Sequence, residues 1–392
     1  MKIHKLFLFL FMGCLLYGCK EKSNMVTITG QLKGVEDNAV ITLYEFQGNM
    51  FNPLVNDTVI NGAFTFLLPD SILQTTRELA IMSNAAGFPP TWLSLWVSPG
   101  DKVKITGEDK LLRTWQVASR NPLQKELNRY NDGIREYVRD SQIAMTKAYA
   151  YFDSIDVMPE RRQEFREEIN TLYALNDSLT ILQQNVEMAM LSEHKTYSDV
   201  WMNKLNQYAR RLRFATVSDE ERDLFQALYD DMPNDLKESE LGESLYLSLN
   251  QPKVVGIGDE MADMDMWDVD GNLCRLENYK GKYILLDFWS SGCGPCIMSI
   301  PEMREIAETY KDKLTIVSIS SDTKEIWTQI SKEKNITWTN LNDFKGDNGI
   351  KLHYGVRGIP NYFIISPEGK IIESWMGYGE GLLKKKMQEF IL

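Results

Sequence analysis

Residues 283–296 read YILLDFWSSGCGPC, a strand of buried type that leads through a short loop into a Cys-x-x-Cys pair. A helix-like stretch follows to about Tyr310. Free N–H groups and the dipole at a helix N-terminus stabilise a thiolate, here that of Cys293. Cys296 lies in the first turn, close enough to form a disulfide, and Pro295 removes an amide that has no intrahelical partner. The stretch therefore predicts a redox-active dithiol.

Other segments surround this pair in a recognisable order. The dithiol follows Asp287-Phe288-Trp289, and a second strand, Leu314–Ser320, comes at the expected interval. Gly358-Ile359-Pro360 then precedes the strand Asn361–Ile365. With these motifs the chain from Gly258 to Leu392 resembles the thioredoxin superfamily, specifically the envelope-tethered disulfide reductases of the TlpA and ResA type. The resemblance implies an α/β domain over residues 255–392, with a mixed sheet flanked by helices.

The resemblance also implies roles for individual residues. Cys293 is expected to attack a substrate disulfide, and Cys296 to resolve the mixed disulfide that results. Asp287 is expected to be a buried carboxylate of raised pKa that accepts the proton of Cys296. No metal and no cofactor beyond the dithiol are expected.

Three further positions are expected to support the site. The resemblance implies a cis peptide bond at Pro360, where the backbone at Ile359 pairs with an extended substrate segment. Trp289 is expected to pack beneath the active-site loop, the segment that leads from the strand into the Cys293–Cys296 pair. The sequence departs from the family pattern at three positions, because an aromatic residue, a basic residue and an acid are common where Gly292, Ile297 and Ser299 stand.

Other interpretations of the cysteines fit the sequence less well. A zinc site needs two more ligands, and His353 is the other candidate in this domain. Haem attachment needs a histidine where Ile297 stands. A structural disulfide remains open, as does a thioredoxin-fold peroxidase, although no Pro-x-x-x-Thr-x-x-Cys pattern surrounds Cys293. Cys274 is expected to be a buried free thiol, with a third redox cysteine as the alternative.

Residues 1–19 read MKIHKLFLFLFMGCLLYGC, a short basic head followed by an apolar run. The run is too short to span a bilayer but has the length of a signal-peptide core. Leu16-Tyr17-Gly18-Cys19 resembles a bacterial lipobox, which implies a signal peptide over residues 1–18 and a lipid on Cys19. An uncleaved anchor and an ordinary secretory signal are the alternatives. The expected location is the cell envelope, facing the periplasm.

Residues 26–118 contain short strand-like runs separated by turn residues, which predict a small all-β domain. Asn61-Gly62 predicts a hairpin between Thr58-Val59-Ile60 and Ala63–Phe66. Trp92 and Trp96 are four residues apart in a predicted strand and so share a face, either as core or as a partner-binding surface. The pattern resembles an uncharacterised domain found before thioredoxin-like domains in lipoproteins.

Residues 119–250 have a helical pattern and predict a spacer. An apolar seam with alternating spacings of three and four residues favours a helical hairpin over a coiled-coil dimer, because it covers less than three heptads. The seam consists of Leu172, Leu175, Leu179, Leu182, Val186 and Ala189.

The composition excludes several classes of protein. The 392 residues carry a formal charge of −12, which argues against nucleic-acid binding, and five cysteines are too few for a disulfide-built fold. We therefore expect a lipid-anchored oxidoreductase that reduces disulfides of exported proteins and receives electrons from a membrane donor. The alternative from another class is a binding lipoprotein in which the dithiol is accessory.

Overall fold

The computed structural model describes residues 25–391 apart from 48–49, 70 and 214–216. It contains a β-sandwich, a helical region and a mixed α/β domain, in the predicted order along the chain. The expected signal peptide and Cys19 lie outside the described residues. None of the described helices combines the length and apolar character needed to cross a membrane.

Two four-stranded sheets form the sandwich, with strand orders β4-β1-β7-β8 and β3-β2-β5-β6. Alternate residues of each strand point inward, so that both sheets contribute to one apolar core. Gly30 in β1 faces the ring of Phe64, where a Cβ atom would come within 1.8 Å of the ring. The strands are β1 (Val26–Leu32), β2 (Val40–Gln47), β3 (Met50–Thr58), β4 (Ala63–Leu68), β5 (Arg77–Met82), β6 (Leu93–Val97), β7 (Lys102–Gly107) and β8 (Gln116–Ala118).

The Asn61-Gly62 turn is present, but the hairpin predicted around it is wrong in extent. Both turn residues have positive φ, 52° and 73°, and Ile60 and Ala63 exchange backbone hydrogen bonds of 3.0 Å. The pairing stops at this single bridge, because β3 ends at Thr58 and belongs to one sheet while β4 pairs with β1 in the other. The turn therefore connects the two layers of the sandwich.

Trp92 and Trp96 lie on the face of the sandwich that is turned towards the helices. Trp96 is buried and packs in a core cluster with residues of the helical region. Trp92 precedes β6, is 39% exposed and contacts the rings of Phe46 and Phe51. Core packing therefore describes Trp96 and not Trp92.

The helical region begins with a long hairpin, as the sequence favoured. Asn121 caps the first helix by accepting a hydrogen bond of 3.0 Å from the backbone N–H of Leu123. Pro159 lies in the short turn between the two long helices, and serines cap three of the later ones. The helices are α1 (Pro122–Val157), α2 (Arg162–Glu193), α3 (Asp199–Ala209), α4 (Asp219–Asp230), α5 (Asn234–Lys237) and α6 (Glu240–Leu249).

The predicted apolar seam is only in part the packed face of α2. Leu179 is buried, whereas Leu175, Leu182 and Ala189 are exposed. Polar residues occupy buried positions instead, among them Glu187, which pairs with Lys204 of α3 at 2.7 Å. The seam prediction is wrong for the exposed positions, because the helix buries ion-paired and hydrogen-bonded side chains that no apolar pattern reveals.

The α/β domain has a seven-stranded sheet of order β10-β9-β13-β12-β11-β14-β15. The central β11 pairs with β12 in parallel and with β14 antiparallel, which confirms the mixed thioredoxin-like fold. Its elements are β9 (Met266–Asp268), β10 (Leu273–Cys274), β11 (Tyr283–Trp289), α7 (Gly294–Thr309), β12 (Leu314–Ser320), α8 (Lys324–Glu333), β13 (Thr339–Asn342), α9 (Ile350–His353), β14 (Asn361–Ile365), β15 (Ile371–Met376) and α10 (Leu382–Phe390).

Arg213 joins the helical region to this domain. Its guanidinium donates to the carbonyl of Asp347 at 3.1 Å, to Oδ1 of Asn348 at 2.7 Å and to Oγ of Ser248 at 2.8 Å. Burial lowers the pKa of Arg213. A buried guanidinium must have its donors satisfied, so these bonds hold the two parts of the chain together.

Candidate active site

Cys293 and Cys296 lie where the central strand passes into a helix. Cys293 is the N-cap of α7, and its Sγ accepts a hydrogen bond of 3.2 Å from the backbone N–H of Cys296. The two sulfurs form a disulfide of 2.03 Å. Upon reduction, the same N–H group and the helix dipole are placed to stabilise a thiolate at Cys293.

The two sulfurs differ in their access to solvent. Cys293 is half-buried, whereas Cys296 is only 2% exposed and packs with Trp289 and Trp327. Thiol–disulfide exchange requires an in-line approach of one sulfur to another, so access selects the cysteine that meets an external disulfide. In this structure that cysteine is Cys293.

Asp287 is buried in β11, as expected. Leu285, two residues earlier, packs in a core cluster with Met303 of α7. Because side chains alternate along a strand, Asp287 faces the same helix, which carries Cys296. The carboxylate Oδ2 accepts a hydrogen bond of 2.9 Å from Ser318, and Oδ1 has no hydrogen-bond partner among the described residues.

Burial sets the protonation of Asp287. Removal from water raises its pKa to about 7, and the hydrogen bond from Ser318 opposes this shift. A carboxyl group of this pKa can accept and release a proton near neutral pH, which an ordinary aspartate cannot do. The resemblance to the TlpA and ResA reductases implied a buried carboxylate of raised pKa at this residue.

Trp289 packs against Cys296, beneath the active-site loop, as expected. Its indole N–H donates a hydrogen bond of 3.1 Å to Oδ1 of Asn340 on β13. The amide of Asn340 in turn donates to Oγ of Ser331 at 2.8 Å. These bonds fix the ring against the buried sulfur.

The Ile359–Pro360 peptide bond is cis, as the resemblance implies. Pro360 is buried, and its carbonyl accepts a hydrogen bond of 2.8 Å from the N–H of Gly377. Ile359 packs against the same cluster as Cys293 and Cys296. The backbone N–H and C=O of Ile359 have no hydrogen-bond partner among the described residues, so both are available to a second chain.

Two exposed methionines near these elements were not predicted as site residues. Met298 follows Cys296 by two residues on α7 and is 67% exposed, and Met376 is 64% exposed. Met376 pairs with Asn361 across β14 and β15, and its Sδ lies 2.9 Å from a Cβ position built on Gly358. Nothing in the sequence predicts that Met376 lies beside the cis-proline loop, residues 358–360, because only the register of the two strands brings it there.

The remaining positions lie as follows. Gly292 is exposed, and the Ser299 hydroxyl is buried and donates to the carbonyl of Cys296 at 2.8 Å. Cys274 was expected to be buried, but it is only half-buried, because β10 is the edge strand of the sheet. Three strands separate β10 from β11, so Cys274 is remote in the sheet from the dithiol strand.

Comparison with known proteins gives a match to the AhpC/TSA family over residues 257–374. The thiol-disulfide oxidoreductase ResA of Bacillus thuringiensis is 32% identical over 141 residues, which are 33% of this chain and 78% of that protein. ResA of Bacillus cereus is 29% identical over 154 residues, 38% and 86% of the two chains. The crystal structure of the thioredoxin domain of a Bacteroides vulgatus thiol-disulfide oxidoreductase is 28% identical and covers 35% of this chain and 99% of its own, with a TM-score of 0.33. Through its similarity to the ResA proteins, this chain belongs, in its C-terminal region, to the ResA family of thiol-disulfide oxidoreductases.

Proposed function

We propose that this protein is a lipid-anchored, envelope-facing enzyme that uses the Cys293–Cys296 dithiol to reduce disulfides of exported proteins. The observation that supports it best is the pairing of one accessible sulfur with one buried sulfur at the N-terminus of α7. Such a pair can bind a substrate through Cys293 and release it through Cys296 without opening the domain.

The reaction has two exchanges. The Cys293 thiolate attacks one sulfur of the substrate disulfide, and the other sulfur leaves as a thiolate that takes up a proton. The Cys296 thiolate then attacks Sγ of Cys293, which breaks the mixed disulfide and releases the second substrate sulfur as a thiolate that takes up a proton from water. Two electrons have passed from the dithiol to the substrate, and the Cys293–Cys296 disulfide remains.

Asp287 has a defined task in this sequence. Cys296 must lose its proton before the second exchange, and it lies in a buried cluster where bulk water is not at hand. Asp287 accepts that proton, since its carboxylate faces α7 and its pKa of about 7 suits proton transfer at neutral pH. A membrane electron donor then reduces the disulfide with two electrons, and Asp287 returns its proton to Cys296.

The substrate segment is held beside the cis-proline loop. An extended chain forms strand-type hydrogen bonds with the free backbone groups of Ile359, which brings its sulfur over Cys293. Exposed Met298 and Met376 offer flexible apolar contacts on either side. Such contacts suit many sequences, as expected of an enzyme that acts on many exported proteins.

The anchor is the acyl chain on Cys19, which becomes the first residue after removal of residues 1–18. We expect labelled palmitate to be incorporated into the wild-type protein in cells, and the protein to sediment with membranes. A Cys19→Ser variant should lose the label, because the lipidated sulfur is absent. Equal labelling of the two proteins would refute lipidation at Cys19.

The reduction potential of the dithiol tests the direction of electron flow. A reductant should equilibrate with dithiothreitol or glutathione buffers at about −250 mV or below. Values of about −120 to −180 mV would identify an oxidant or an isomerase and reverse the proposed direction. Failure to form an intramolecular disulfide would exclude the dithiol mechanism.

A further inference from the structure

A cavity of about 620 Å³ lies between the β-sandwich and the helical region. Trp92 and Trp96 line it from the sandwich, and Arg113 lines it from the segment that connects β7 to β8. Lys204 and Arg210 line it from α3 and the turn that follows this helix. Its volume lies within the range of about 300–1,000 Å³ that is typical of small-molecule sites.

The cavity carries two cationic groups that no carboxylate of the described residues contacts directly. The side chains of Arg113 and Arg210 form no hydrogen bond or close ion pair with the other described residues, and the opposing charges of Glu187 and Asp347 act on them, respectively, over longer distances. Lys204, in contrast, is neutralised by Glu187 at 2.7 Å. Although the chain has a formal charge of −12, two guanidinium groups therefore line this cavity without a hydrogen-bonded carboxylate among the described residues.

The side chain of Arg113 lies at the wall of the cavity and is not packed on all sides. Its side chain is exposed to the cavity space, yet the surrounding protein lowers the pKa of the guanidinium through burial. The backbone N–H of Arg113 donates a hydrogen bond of 3.1 Å to Oε1 of Gln142 on α1, which fixes the base of the side chain. A cation whose base is held in place and whose N–H donors are not bonded to a carboxylate is a ready site for an anion.

The opposing charge in the cavity is weak. Glu78 of β5 is the acidic residue among the described lining residues, and burial raises the pKa of its carboxyl group. Burial therefore disfavours the one negative charge that could neutralise the arginines. The charges of the residues that line the cavity therefore favour an anionic ligand.

The aromatic wall indicates what the anion is attached to. Trp92 contacts the rings of Phe46 and Phe51 and is 39% exposed. A large apolar surface is therefore open to solvent in the cavity that the two arginines line. Flat or apolar organic groups pack on such rings, whereas a bare inorganic ion gains nothing from them.

We propose that this cavity binds a small organic anion, with its oxyanion group on Arg113 and Arg210 and its flat apolar part against Trp92. The site is separate from the dithiol, because none of its lining residues belongs to the α/β domain. The protein thus combines a redox domain with a ligand-binding site formed by its N-terminal parts. Its test does not depend on the proposed reductase activity.

Two dyes that differ only in charge provide the test. Anilinonaphthalene sulfonate carries an oxyanion on an aromatic system, and phenylnaphthylamine is its uncharged counterpart. In titrations of the full chain we expect the sulfonate to bind at least about tenfold more tightly, because a charge-assisted hydrogen bond to arginine contributes enough for that ratio. Energy transfer from tryptophan to the dye should report occupancy beside Trp92.

Variants locate the binding. Arg113→Gln and, separately, Arg210→Gln should each weaken sulfonate binding about tenfold or more and leave phenylnaphthylamine binding unchanged. Neither side chain makes a hydrogen bond with another described residue, and circular dichroism checks that loss of the longer-range attraction between Arg210 and Asp347 leaves the fold intact. Arg120→Gln, at an exposed arginine outside the cavity, is the matched control and should bind as the wild type does.

Displacement distinguishes the source of the oxyanion. Competition by sodium acetate would identify carboxylates as the natural class, and competition by sodium phosphate would identify phosphorylated compounds. Equal affinity for the two dyes, or unchanged sulfonate binding in both arginine variants, would overturn the proposal.

Discussion

Replacing Cys293 by serine is expected to reduce disulfide reductase activity by more than about 10³-fold, to the rate of the buffer control. The accessible sulfur is then absent. The remaining sulfur, that of Cys296, is only 2% exposed and does not reach a substrate disulfide. Reduction of insulin in the presence of dithiothreitol, followed by turbidity, measures this activity. A Cys293→Ser protein with substantial turnover would contradict the proposed mechanism.

Two further cysteine variants serve as controls. Cys296→Ser should retain the first exchange but not the second, so that a mixed disulfide with the substrate accumulates and is visible on a non-reducing gel. Cys274→Ser should keep wild-type activity, because three strands separate β10 from β11. The Cys296→Ser protein also tests the peroxidase alternative, since full turnover of hydrogen peroxide by this variant would favour it.

Asp287→Asn is expected to change the pH dependence of stability. The folded-state pKa of about 7 lies above the ordinary value of 3.8, so the folded protein binds the proton more tightly than the unfolded chain. The resulting stability is complete below the unfolded pKa and is lost as the pH rises through about 7. The loss amounts to about 4 kcal/mol between pH 4 and pH 8, and the asparagine variant escapes it.

Chemical unfolding of the oxidised protein across this pH range measures the effect. The free energy of unfolding of Asp287→Asn minus that of the wild type should rise by about 4 kcal/mol from pH 4 to pH 8. Asp312→Asn, at an exposed carboxylate of the same domain, should show a nearly constant difference. A constant difference for Asp287→Asn as well would show that the Asp287 carboxyl group titrates normally.

Two additional measurements separate the catalytic and electrostatic contributions of Asp287. Ser318→Ala removes the hydrogen bond that lowers the pKa of Asp287, so the loss of stability should extend to higher pH. In single-turnover experiments, Asp287→Asn should slow the resolution of the mixed disulfide by Cys296 while leaving the attack by Cys293 unchanged. Equal slowing of both steps would contradict its assignment as the proton acceptor for Cys296.

Local sequence determined the structure around the dithiol in the C-terminal domain. The strand, loop and helix around Cys293 and Cys296 follow from an apolar run and from residues that begin a helix, all within a short stretch of chain. The predicted strands Leu314–Ser320 and Asn361–Ile365 match β12 and β14 for the same reason, since an apolar run between turn residues specifies a buried strand. The burial of Asp287 was predicted from the family resemblance, and its apolar neighbours in β11 on both sides are buried with it.

Tertiary structure alone decided which distant residues meet. The register of β14 and β15 brings Met376 to the cis-proline loop, and the split of β3 and β4 between two sheets turned a predicted hairpin into a link between layers. The seam on α2 misled because Glu187 is buried through its ion pair with Lys204, a contact between helices. The cavity beside Arg113 likewise exists only where sandwich and helices pack together. Short-range patterns determine what a segment becomes, whereas the burial of one surface by another determines what it touches, and that partner lies far away in the sequence.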